Sequence, residues 1–231
     1  MTNILLTGSS RGIGAACAGA LADAGATVLG HGTASGIAAD LAQPGAAAAL
    51  WARALDRAGG RIDVLVNNAG VFEANPLDGD ADAWLAGWER TMRVNLTAAA
   101  ELSRLAVLHW RGTGGGRLVN VASRAAYRGD SPAHWHYAAS KAGMVAMTKT
   151  IARGYAAEGI LAFAVCPGFT MTGMADDYLS SRGGDKLLAD IPLGRVADPA
   201  EVADVVRFLA LDAPASMTGA VLDVNGASYV R

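Results

Sequence analysis

Ile4-Leu5-Leu6-Thr7-Gly8-Ser9-Ser10-Arg11-Gly12-Ile13-Gly14 is the stretch whose reading decides the fold. The apolar run 4–6 is consistent with a short buried strand. Three glycines follow it, and then an alanine-rich helical stretch from about Ala15 to Ala24. A strand, a glycine-rich turn and a helix bring backbone N–H groups and a helix N-terminus to one place, where a pyrophosphate can bind. Gly8 permits the tight turn, Gly12 lets a ligand approach the backbone, and Gly14 allows close helix packing. The spacing is Gly-x3-Gly-x-Gly rather than the more familiar Gly-x-Gly-x2-Gly. Glycine-rich turns are common, and the position of this one, straight after the first strand, is what strengthens the reading.

The rest of the composition agrees with an α/β chain. A length of 231 residues suits one α/β domain, residues 1–231, with a full core. The net charge of −2 gives no reason to propose nucleic acid as a partner. No apolar run approaches the roughly 20 residues of a membrane span. Met1 to Leu6 carry neither a basic region nor a long apolar stretch, so no signal peptide is expected. Cys17 and Cys166 lie far apart in apolar contexts and read as buried free thiols, which fits a reducing cytoplasm.

Gly25 to His31 reads as the second strand. A carboxylate near its end would hold the ribose 2′-hydroxyl of NAD. That place falls near Gly32, which has no side chain, while Arg11, His31 and Thr33 are nearby candidates for a 2′-phosphate. NADP is therefore favoured over NAD. A parallel crossover takes about a dozen residues or more and usually carries a helix. Only about five residues separate His31 from Ile37-Ala38-Ala39-Asp40. Either the helix between strands two and three is missing, or residues 37–39 are not a parallel strand. The missing helix is the reading adopted here, with the adenine side of the cofactor more exposed than usual.

A helix from about Pro44 to Arg57 leads to a buried strand, 61–66, that ends at Asn67-Asn68-Ala69-Gly70. Asp80 to about Trp110 is helical and contains Asn95, an asparagine that costs helix propensity and so invites a reason. Leu118 to Ala122 is a further strand, with Ser123 at the carboxyl end where open α/β sheets bind ligands. Tyr137-Ala138-Ala139-Ser140-Lys141 places a phenol and an ammonium one helical turn apart. A free tyrosine, with a pKa of about 10, is a poor base at neutral pH. A close positive charge favours the phenolate and makes a better general acid and base.

With these residues in order, the chain resembles the short-chain dehydrogenase/reductase family, in its common single-domain form. The carriers are Thr7-Gly8-x3-Gly12-x-Gly14, Asp40, Asn67-Asn68-Ala69-Gly70, Asn95, Ser123, Tyr137-x3-Lys141 and Pro167-Gly168-Phe169-Thr170-Met171-Thr172. The resemblance implies a doubly wound, mostly parallel, Rossmann-like sheet of order 3-2-1-4-5-6-7. It implies a catalytic set of Asn95, Ser123, Tyr137 and Lys141. Tyr137 would pass the proton, Ser123 would polarise the substrate oxygen, and Lys141 would hold the nicotinamide ribose and lower the phenol's pKa. Asn95 would distort its helix and hold a water. The implied cofactor contacts are Gly8, Ser10, Arg11, Gly12, Ile13, Gly14, His31, Thr33, Asp40, Leu41, Asn67, Ala69, Gly70, Tyr137, Lys141, Pro167, Gly168, Thr170 and Thr172. Within that set Asp40 would bond the adenine, and Asn67 would line a ribose. For the helix beyond Lys141 the resemblance implies a subunit interface, and so a homodimer or homotetramer.

The segment Arg124 to His136 must pass over the site if Ser123 and Tyr137 both act. Its Trp135 ring is expected to pack. His134 and His136 lack a third ligand at a telling spacing, so no metal is expected. Gly173 to Asp190, with paired glycines, suits a lid. Asp198 and Pro199 mark a helix start. These features together point to an NADP(H)-dependent oxidoreductase acting on a ketone or secondary alcohol. The alternatives are a 3-oxoacyl thioester reductase, with Arg124 and Arg128 meeting an acidic carrier, and a non-catalytic dinucleotide-binding sensor or scaffold.

Overall fold

The computed structural model describes residues 1–171 and 188–231. Strands β1 (Asn3–Leu6), β2 (Thr27–Gly30), β3 (Val64–Asn67), β4 (Gly116–Val121), β5 (Ile160–Pro167) and β6 (Val221–Val224) form one sheet of order β2-β1-β3-β4-β5-β6. Every pairing is parallel. Parallel strands need helical crossovers, and these cover both faces, so the central strands are mostly apolar, β5 (ILAFAVCP) throughout.

Side chains alternate between the two layers. Leu5, Leu65, Leu118 and Ala162 point to the side carrying helices α2 (Ala46–Arg57) and α4 (Ala98–Thr113), where Leu50, Leu102 and Trp110 meet them. Ile4, Leu6, Val66, Val119 and Val165 point to the opposite side. There they meet Cys17 and Leu21 of α1 (Gly12–Asp23) and Val202 and Val206 of a late helix, Pro199–Arg207. That helix starts as its sequence predicts: Asp198 accepts from Ala200 N–H, and Glu201 completes a capping box. Among the described residues, no helix is long and apolar enough to cross a membrane.

The edge beyond β2 differs from the sequence expectation. No helix forms between β2 and Gly45, as expected, but residues 37–39 are not a strand either. The chain turns tightly at Gly32–Ser35 and comes back antiparallel, with Gly32 N–H donating to Ser35 O at 3.0 Å and Ile37 N–H to Gly30 O at 2.8 Å. A connection this short cannot cross over, so the return runs antiparallel. The expected order 3-2-1-4-5-6-7 therefore loses its outermost strand and, among the described residues, becomes six-stranded. Ile37 and Leu41 still close the core at this edge.

Helix α3 (Ala81–Met92) runs into a π-helical turn, Arg93–Thr97, and directly on into α4. After β4 come the single turn α5 (Ala125–Arg128) and the long α6 (Trp135–Tyr155). Thr172 and most of the expected lid fall outside the described residues.

Candidate active site

The carboxyl ends of β1, β3, β4 and β5 carry the site. At β1 the glycine turn is laced to the end of β3. Thr7 Oγ1 accepts the N–H groups of Asn68 and Ala69, both at 3.0 Å, and Asn68 Nδ2 donates to the carbonyls of Thr7 and Gly8, both at 3.0 Å. Gly8 has a φ of +67°, and a Cβ on Gly14 would lie 1.9 Å from Gly8 O, so neither position accepts a side chain without movement. The N-terminus of α1 has no side-chain cap and no acidic residue in its first turn, so its N–H groups remain available for an anion. Ser10 and Arg11 are exposed there, beside the Gly32–Ser35 turn that carries Thr33. A pyrophosphate with a neighbouring phosphate fits this arrangement of donors.

His31 is used differently from the sequence reading. It is 3 % exposed, its Nδ1 accepts Gly8 N–H at 3.2 Å, and its Nε2 lies 2.9 Å from Ala39 O. These partners require a neutral ring protonated on Nε2. Burial lowers its pKa, against a smaller opposing effect of the Ala39 carbonyl. A neutral ring with both nitrogens engaged is a brace for the glycine turn and not a cation for a 2′-phosphate.

Asp40 is exposed and bonds Ala42 N–H and the Gln43 amide, which hold its carboxyl below the usual range. Leu41 points into the core. The Asn67 side chain also turns inward, donating to Asn120 Oδ1 at 2.9 Å and Ser103 Oγ at 3.1 Å, and Asn120 donates to Thr148 Oγ1 at 2.8 Å. Only the Asn67 backbone can face a ribose. This buried polar chain under the site was missed from sequence, although Asn120 in the middle of an apolar strand was a signal for it.

Asn95 sits in the π-turn, fully buried. Its Oδ1 accepts Val71 N–H at 2.8 Å, and its Nδ2 donates to Val71 O at 2.9 Å and to Ser140 Oγ at 3.3 Å. Such bulges are frequent at functional sites, and the helix distortion expected at Asn95 is present. A Cβ built on Gly70 would lie 3.3 Å from Asn95 Oδ1 and 3.6 Å from Lys141 Nζ, which places the three residues side by side. Lys141 Nζ donates to Val121 O at 2.9 Å and stands 5.8 Å from the Tyr137 ring centre. Ser123, just past β4, hydrogen-bonds Tyr137, and its Oγ also accepts Ala125 N–H at 3.1 Å. Phe72 lies edge-on to Tyr137 and stacks on His134 at 4.0 Å. Pro167 ends β5, and Gly168 leads to the buried Thr170, whose hydroxyl donates to Gly168 O.

A family model described as enoyl-(acyl carrier protein) reductase matches residues 8–227. The chain belongs to the short-chain dehydrogenase/reductase family. It is 36% identical over 241 residues to the 3-oxoacyl-[acyl-carrier-protein] reductase of Vibrio cholerae, covering 98% of this chain and 96% of the relative. It is 37% identical over 243 residues to the cis-4-hydroxycyclohexanecarboxylate dehydrogenase of Sinomonas cyclohexanicum, covering 96% and 94%. A solved structure from Beutenbergia cavernae, described as an NAD(P)-dependent gluconate 5-dehydrogenase with NADP bound at low occupancy, matches with a TM-score of 0.89 and 32% identity, covering 98% and 96%.

Within this dehydrogenase/reductase site, burial dominates the electrostatics. It pushes the Tyr137 phenol up to about 12, opposed by the Ser123 hydrogen bond. It pushes the Lys141 ammonium down to about 8. The expected lowering of the phenol by the lysine is not what the protein groups alone produce. At neutral pH the pair is a protonated phenol beside a charged ammonium.

His134 Nδ1 bonds Ser131 Oγ at 2.6 Å, and His136 is buried. Among the described residues no group of three or more histidine, cysteine or acidic side chains could hold a metal. Trp135, expected to pack, is 53 % exposed.

Proposed function

We propose that the protein is an NADP(H)-dependent oxidoreductase that interconverts a ketone and a secondary alcohol. One observation carries the reading: Ser123, Tyr137, Lys141 and Asn95 meet at the strand ends next to the uncapped start of α1. A pure dinucleotide sensor would have no use for that grouping. Bound NADP(H) supplies the hydride chemistry, leaving orientation and proton transfer to the protein. The α1 N-terminus and Gly8–Gly14 would hold the pyrophosphate, and Arg11 with Thr33 the 2′-phosphate. Lys141 would bind the nicotinamide ribose. In reduction the Tyr137 phenol would donate its proton to the carbonyl oxygen, and Ser123 would donate a hydrogen bond to that same oxygen. Asn95 would hold the Val71 backbone and a water in the proton path.

The NADP-bound structural relative supports the cofactor choice. We further read the chain as one catalytic domain that works in the cytoplasm as a homodimer or homotetramer. The test is to titrate NADPH and NADH, followed by fluorescence, and then to challenge the loaded enzyme with ketones. Tight NADPH binding and oxidation by one ketone class is the expected result. No cofactor binding would restore the scaffold reading. The relatives named for 3-oxoacyl carrier substrates favour a second reading, thioester reduction. A clear preference for an acyl thioester over free ketones would select it.

A further inference from the structure

We propose that Arg124 is the anion anchor of the substrate pocket, so that the ketone or alcohol also carries a small carboxylate. The inference rests on the proposed oxidoreductase function and names its substrate class. Arg124 is the residue after Ser123, and its backbone N–H donates to Pro167 O at 2.9 Å, which ties it to the strand end that carries Gly168 and Thr170. Its guanidinium lies 4.7 Å over the Phe169 ring, and the side chain is only 10% exposed. An arginine has five N–H donors, and burying it unpaired is costly. Among the described residues, its one side-chain acceptor is Asp190 Oδ2, at a long 3.4 Å. That same oxygen receives Arg128 at 2.6 Å, and the Asp190 side chain is 45% exposed.

Two guanidiniums therefore share one carboxylate, and the better-buried one has the poorer bond. A second carboxylate would complete the cluster, and the planar fork of Arg124 suits it. A large acidic carrier does not fit this residue. Arg128 is the more exposed of the two at 35%, against 10% for Arg124, so a small carboxylate suits Arg124 better than a protein surface does. The sequence expectation that both arginines meet a carrier protein is thus divided between an exposed residue and a buried one.

The test uses the full chain loaded with NADPH and matched probes: 4-oxocyclohexanecarboxylate and 4-oxopentanoate, each beside its methyl ester. For wild type we expect the acids to exceed their esters in kcat/KM by about 10- to 100-fold, the range of a charge-assisted pair. In Arg124→Gln the preference should vanish through a raised KM for the acids, with ester turnover and NADPH affinity retained. In Asp190→Asn, which removes the competing carboxylate, KM for the acids should fall. Equal use of acid and ester by wild type would overturn the proposal and leave the oxidoreductase reading standing. So would an equal loss on both probes in Arg124→Gln, which would make the residue a structural pin. If no ketone of any kind oxidises NADPH, the oxidoreductase reading itself fails. Calorimetric titration of the acids and esters into the NADP-loaded protein then decides the anchor separately: esters binding as tightly as acids would refute it.

Discussion

Replacing His31 tests whether a neutral buried ring holds the glycine turn in place. In His31→Leu, the Gly8 N–H loses its 3.2 Å acceptor and Ala39 O its 2.9 Å partner. Buried polar groups left unsatisfied cost about 1–3 kcal/mol each, and Gly8 is only partly buried, so the sum is about 2–4 kcal/mol. For a chain of this size that lowers the melting temperature by about 4–16 °C. The pH dependence separates this role from plain packing. The folded-state pKa of His31 is lowered by burial, so the unfolded chain takes up its proton first. The stabilising effect of the neutral ring is present above the unfolded value of about 6.5 and is lost as pH falls below it towards the folded value. Wild type should therefore lose stability below that pH faster than His31→Gln, which keeps a donor and an acceptor but cannot titrate. Thermal melts and NADPH titrations across the range give the answer. If His31→Leu melts with wild type, or if both proteins show the same pH slope, His31 is not the brace.

Tyr137→Phe should lower turnover by about 10²–10⁴-fold while NADPH affinity stays at the wild-type value; retained turnover would remove Tyr137 from the chemistry. In Gly14→Ala the new methyl would meet Gly8 O at 1.9 Å and Asn68 Nδ2 at 2.5 Å. A loss of about 1–3 kcal/mol in denaturant melts, together with weaker NADPH binding, is expected. Ala227 holds a left-handed φ of +64° on an exposed loop. Ala227→Gly should therefore stabilise the protein by about 1 kcal/mol, read as a higher melting temperature.

The core and the site were legible to different degrees. Parallel strands buried on both faces are rich in apolar residues, so β1, β3 and β4 could be read from the stretches 4–6, 61–66 and 118–122. The Asn95 distortion was implied by the family resemblance, since the residue itself showed only a polar side chain that costs helix propensity. The fate of residues 32–39 was not legible. Chain length forbade a helical crossover, but an apolar run of three residues has the same pattern in a parallel strand and in an antiparallel return. Burial of a side chain depends on what packs around it, which is why His31 and Asn67 faced inward against the reading and Trp135 faced outward. Arg124 looks like any surface arginine until Phe169 and Asp190 are brought beside it by residues far along the chain.

The electrostatics of Tyr137 and Lys141 bear on the direction of the reaction. Sequence reasoning weighs one effect, the attraction of an ammonium for a phenolate. The structure adds the cost of burying either charge, which works on the two groups in opposite senses. It takes the phenol up to about 12 and the ammonium down to about 8. A phenol held protonated needs no preparation to donate to a carbonyl, so ketone reduction should be nearly independent of pH below about 8, where Lys141 keeps its charge. Above that value, reduction should decline as the ammonium is lost. Alcohol oxidation needs the phenolate, so at neutral pH its rate should climb by about tenfold per pH unit. The two directions measured on one substrate pair would show the contrast. An oxidation rate already level at neutral pH would mean that the phenol ionises there, and that the attraction of Lys141 outweighs burial after all.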